Sequence, residues 1–154
     1  MIEPLRSVQT APQLIASIPI KVARAEIRKV MGPGLTELKS AIAAQNIAVI
    51  GPWFTHHARP PGEIFDFSIC LPVATPVSPA GRMLPGEWPA LSVVQTIFHG
   101  GYEGLGGAWG DFKEQIKAAG YRTADDLWER YLIGPEASAD PAAWRTELNK
   151  RLEQ

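Results

Sequence analysis

The chain has 154 residues, enough to bury one sizeable core, and its 15 Lys+Arg against 16 Asp+Glu leave a formal charge of only -1. That balance gives no sequence-wide attraction to nucleic-acid phosphates or acidic membranes, so neither is expected as a direct partner. The single Cys70 excludes an internal disulfide and fits a reducing compartment, and no Cys/His cluster offers a structural zinc site.

Met1 to Thr10 mixes acid and base without an apolar run, and no stretch approaches 18 apolar residues. The expectation is one soluble, cytoplasmic domain over residues 1–154. Fourteen Pro and fourteen Gly predict many stiff loops, while 45% hydrophobic residues argue against disorder.

After a polar lead, Gln13 to Val22 alternates loosely and is a strand candidate, near a sheet edge because Pro19 lacks a ladder donor. Gly32-Pro33-Gly34 reads as a break before a helix from about Leu35 to Gln45, with Leu35, Leu38 and Ile42 on one face. Ala48 to Ile50 and Trp53 to His57 form a second strand bent at Gly51-Pro52, and a loop is expected over Ala58 to Glu63. The clearest alternation is Phe65, Phe67, Ile69 and Leu71, followed by a Pro-rich connector from Pro72 to Pro89.

The pattern then restarts. Ala90 to Phe98 is rich in β-branched residues, His99-Gly100-Gly101 breaks it, and Leu105, Trp109, Phe112 and Ile116 recur on one helix face up to Gly120. Leu127 to Leu132 reads as a strand. Asp140-Pro141 starts a short helical turn, and a final strand follows from Trp144. Strand, helix, strand, strand therefore occurs twice, over about 13–72 and 90–152. Superposing the copies places Trp53 on Trp128, Phe54 on Glu129 and His56 on Tyr131.

Glu129, set among large rings in Leu127-Trp128-Glu129-Arg130-Tyr131, is the candidate functional group. Alternation puts it on one face with Tyr131, and puts Trp128 and Arg130 on the other. A carboxylate against an apolar surface must find a partner or lose its charge, and a flat cationic ligand is such a partner. At about 4 Å and an effective dielectric near 20 the attraction is on the order of 4 kcal/mol before desolvation, and each aromatic face adds roughly 0.5 to 2. The candidate ligand-binding set is Glu129, Tyr131, Phe54, His56, Trp109 from its helix and Trp88 as a lid, with Trp53 and Trp128 facing away. His56, His57 and His99 lack chelating geometry, so neither metal nor cofactor is expected.

His99-Gly100-Gly101-Tyr102, Trp109, Trp128-Glu129-Arg130-Tyr131-Leu132, Gly134-Pro135-Glu136 and Trp144-Arg145-Thr146-Glu147-Leu148 resemble the GyrI-like family, which includes effector-binding domains of bacterial transcription activators. The chain departs from that pattern at Asn149-Lys150-Arg151, where apolar residues and a proline are usual. The resemblance implies an α+β fold of two related strand-helix-strand-strand units, an antiparallel sheet covered on its concave side by two helices, and a cleft in which Glu129 meets planar, apolar, cationic molecules. It implies a stand-alone multidrug- or effector-binding protein, with a hydrolase of reactive electrophiles using Glu129, or a gyrase-inhibitor-type protein-binding module, as alternatives. The oligomeric state stays open.

Overall fold

The computed structural model describes residues 1–59 and 62–153. Eight strands form one sheet: β1 (Arg6–Gln9), β2 (Gln13–Ala23), β3 (Phe54–His57), β4 (Ile64–Pro72), β5 (Leu84–Trp88), β6 (Ser92–His99), β7 (Thr123–Ile133) and β8 (Arg145–Leu152). Helix α1 (Ile27–Ala44) follows β2, and α2 (Leu105–Ala119) follows β6. The order across the sheet is β1-β6-β8-β7-β3-β4-β2-β5, with every neighbouring pair antiparallel.

This order is symmetric about the β3–β7 seam, and one row of side chains makes the duplication visible. Ile18, Ile69 and Thr55 on β2, β4 and β3 continue as Glu129, Leu148 and Thr96 on β7, β8 and β6. Both helices pack on the face this row occupies. Leu38 and Ile42 of α1 cover Ile18, Ile20 and Ile69, while Ala108, Phe112 and Ile116 of α2 cover Val94, Phe98 and Leu148. The α+β, duplicated architecture expected from the sequence is therefore present.

The edges add what the repeat did not predict. The polar lead contains β1, and the Pro-rich connector contains β5. β1 pairs with β6 and β5 with β2, so each leading strand joins the other half's sheet. Only residues 10–12 link β1 to β2, and only 89–91 link β5 to β6. Each link spans six strand positions, about 29 Å on a flat sheet, while four extended Cα steps reach about 14 Å. The sheet must curl toward its helix-free face, and the links meet there: Thr10 N donates to Leu91 O at 2.8 Å and Leu91 N to Thr10 Oγ1 at 2.9 Å. The helices lie on the outside of this curl, where the resemblance implied the concave side.

Gly32-Pro33-Gly34 does not break the chain, because α1 begins at Ile27 and runs through it. Pro33 is solvent-exposed and forfeits one helix bond. Gly34 is where the helix presses the sheet, since a Cβ there would stand 2.7 Å from Ile69 Cδ1. Ala48 to Ile50 is no strand but a single bridge, Val49 to Val73. Pro19 is accommodated because β5 pairs β2 only as far as Ser17, which leaves that flank free. The last element is the expected short turn, Pro141–Ala143, followed by β8, which runs on through Asn149-Lys150-Arg151. The loop expected over Ala58 to Glu63 includes Pro60 and Pro61, which lie outside the described residues.

Candidate functional site

Glu129 lies beside the seam on the helix-bearing face, directly opposite Thr55. Both its oxygens are held: Trp109 Nε1 of α2 donates to Oε2 at 2.7 Å, and Tyr131 OH donates to Oε1 at 2.7 Å. The Tyr131 proton being committed there, Thr55 Oγ1, 2.9 Å from the phenol oxygen, is the donor of that pair. The result is a relay from Thr55 through Tyr131 to Glu129, closed from above by the indole of Trp109. Burial raises the Glu129 pKa, and the two donated hydrogen bonds offset it only in part. Burial, then the neighbouring Glu129 charge, pushes the Tyr131 phenol well above its ordinary value.

Rings extend from this carboxylate in an unbroken strip. Trp53 lies 4.2 Å from Tyr131 between centroids, Tyr102 5.9 Å beyond Tyr131, and Trp144 4.9 Å from Tyr102. Gly134 permits this packing, since a Cβ there would stand 2.8 Å from the Tyr102 hydroxyl. A depression of about 520 Å³ opens beside the strip, lined by Trp53, Tyr131, Leu71 and Pro52 with Lys39 and Glu136 at hand. Glu129 is not part of that lining, because its oxygens are turned to Trp109 and Tyr131.

The expected set is thus divided. Glu129, Tyr131 and Trp109 come together, but Phe54, His56 and Trp88 lie on the opposite face. Thr55, not Phe54, pairs with Glu129, so the superposition from sequence was one residue out of step and a one-residue slip exchanges faces. Phe54 and His56 pack around Trp88, at 5.1 and 4.8 Å, with Trp128 5.0 Å from it. Trp88 ends β5 and fills the inside of the curl instead of capping a cleft. His56 Nε2 lies 3.0 Å from Asp126 Oδ2, the atom that Arg151 also binds at 2.6 Å. Burial pushes the Asp126 pKa up, but these partners outweigh it and hold it low.

Trp128 faces away from Glu129 as expected, whereas Trp53 does not, for the same reason of register. Sequence reasoning missed Thr55, Trp53, Tyr102 and Trp144 as neighbours of the site. The alternation Trp53, Thr55, His57 was visible, but which of its two faces meets Glu129 is decided by pairing across 74 positions. Among the described residues no group of three or more His, Cys, Asp or Glu is placed to hold a metal, and no helix is long and apolar enough to cross a membrane.

The profile of the GyrI-like small molecule binding domain matches residues 7–149. The chain belongs to that family. Among solved structures this GyrI-like domain is similar to the EcmrR C-terminal domain, with TM-score 0.85 and 20% identity over 97% of both chains. EcmrR in a DNA complex superposes with TM-score 0.84 at 19% identity, and there the domain spans 99% of its own length and 58% of the EcmrR chain. A structure described as a hydrolase from Listeria innocua gives TM-score 0.67 at 10% identity, covering 97% of this chain and 91% of that one. SAV2435 bound to tetraphenylphosphonium gives 0.57 at 8%, covering 97% and 93%. At these identities the likeness concerns the fold. No protein among those of curated function matches the sequence.

Proposed function

We propose that this GyrI-like domain binds apolar, planar, cationic small molecules on its helix-bearing face, with Glu129 as counter-charge and Trp53, Tyr131, Tyr102 and Trp109 as ring contacts. The observation that carries the reading is the Glu129 carboxylate held by two neutral donors, with its pKa raised by burial and no cation among its partners in the described residues. A ligand cation that displaces the indole of Trp109 or the phenol of Tyr131 supplies the missing charge. The rings of the strip accept many outlines without strict hydrogen-bond geometry, so the expected selectivity is for charge and flatness. The ligand named for SAV2435, tetraphenylphosphonium, has both an apolar body and a positive charge, which supports the reading by analogy.

The test uses the intrinsic fluorescence of the tryptophans, quenched by a cationic dye and by a neutral dye of similar size. Glu129→Gln is expected to weaken the cationic dye about tenfold, about 1.4 kcal/mol, and to leave the neutral one within twofold. Equal losses for both dyes count against charge selection by Glu129.

A further inference from the structure

A second depression, of about 370 Å³, lies on the helix-bearing face at the C-terminal end of α2, lined by Lys113, Lys117, Lys150, Ile116, Tyr121 and Thr123. It occupies in the second half the place that the depression beside Trp53 occupies in the first. Leu71 and Lys150 each stand two residues beyond the row residues Ile69 and Leu148 on equivalent strands, and each lines its own depression. The first half fills this position with a leucine 2% exposed, the second with a lysine 6% exposed.

Lys150 buries its stem where an apolar side chain would serve while its ammonium keeps access to the depression, and three ammoniums gathered there repel one another unless an anion lies between them. Among the described residues Lys150 has no ion pair and no side-chain hydrogen bond, and neither have Lys113 and Lys117. Burial, then the charge of Lys113, holds the Lys150 pKa below its ordinary value, while Asp126 and Asp125 act in the opposite sense. Asp126 is already engaged by Arg151 and His56, and Asp125 is exposed and forms no ion pair among the described residues. The carbonyl end of α2 adds roughly half a negative charge, less than three ammoniums supply.

We propose that this depression is a binding site for a phosphate monoester: the dianionic phosphate rests on Lys150, Lys113 and Lys117, and the apolar part lies against Tyr121 and Ile116. The site is separate from the Glu129 relay and of opposite charge preference. Thr123 adds a hydroxyl to its floor.

Calorimetric titration of the full chain with phenyl phosphate, with phenol as the uncharged control, tests this. Saturable one-site binding is expected, weakened at least tenfold in Lys150→Met, several-fold in Lys113→Gln and unchanged in Glu129→Gln. Phenol is expected to bind at least tenfold more weakly. Absence of saturable binding, equal binding of phenol, or wild-type affinity in the folded lysine variants overturns the proposal. Should Lys150→Met not fold, Lys113→Gln decides alone. A loss in Glu129→Gln equal to that in Lys150→Met would assign the anion to the central site and also overturn it.

Discussion

Thr55 and Glu129 face one another across the β3–β7 seam, where the two halves of the chain share a ladder at the centre of the sheet. The two halves use that shared position differently. One supplies a hydroxyl donor and the other a carboxylate, and Tyr131 joins them.

The relay has a measurable coupling. Tyr131→Phe removes a donor from Glu129, and Thr55→Val leaves the buried phenol oxygen without its donor, each at a cost of about 1 kcal/mol. Both act on one network, so the double variant is expected to lose less than the sum in denaturant unfolding. Additive losses count against the relay.

Glu129 should make stability depend on pH with an unusual sign for a carboxylate. Burial holds its native pKa above the ordinary value for a glutamate, so the native state holds the proton more tightly than the unfolded chain. Its contribution is therefore favourable below that value and lost as pH rises through the native pKa. Glu129→Gln is expected to raise the unfolding midpoint at pH 7, with a smaller gain at pH 4. A gain independent of pH contradicts this.

His57 acts in the opposite direction. It is buried, stacked on Phe67 with ring centroids 5.0 Å apart, and its Nδ1 has no partner among the described residues. Burial, then the adjacent His56, lowers its pKa from 6.5 to about 4. The unfolded chain binds the proton first as pH falls, so the native state loses stability between about pH 6.5 and 4, on the order of 1–3 kcal/mol in all. His57→Phe should remove most of that slope, as read from denaturant titrations at pH 7 and 5.

Gly34 tests the contact between α1 and the sheet. A methyl group there meets Ile69 Cδ1, whose side chain is fully buried and has little room to turn. Gly34→Ala is expected to cost roughly 1–3 kcal/mol despite its better helix propensity. A Gly32→Ala control, with nothing within 4 Å of the added carbon, should be neutral or stabilising.

The duplication and both helices were legible because each copy carries a period-four apolar stripe followed by alternating strands, as in Leu105, Trp109, Phe112 and Ile116. Glu129 and Tyr131 could be placed together because residues two apart on a strand share a face. What could not be read were relationships between distant strands. Phe54 and Thr55 are equally plausible partners for Glu129 until the register is known, and the cost of choosing wrongly was to exchange Trp53 for Trp88. β1 and β5 carry little apolar signal of their own, since their residues are mostly exposed. Gly32-Pro33-Gly34 misled because its local propensity for a break is outweighed by the packing of Ile27, Val30 and Met31 before it and of Leu38 and Ile42 after it against one core.

The reciprocal docking of β1 and β5 has a consequence for assembly. A chain cleaved between Ala80 and Gly81 would yield two fragments, each carrying an edge strand whose ladder partner lies on the other piece. Neither fragment can complete its own sheet, so the pieces should fold only when mixed, and a hinge that lets these strands find another molecule would give an intertwined dimer.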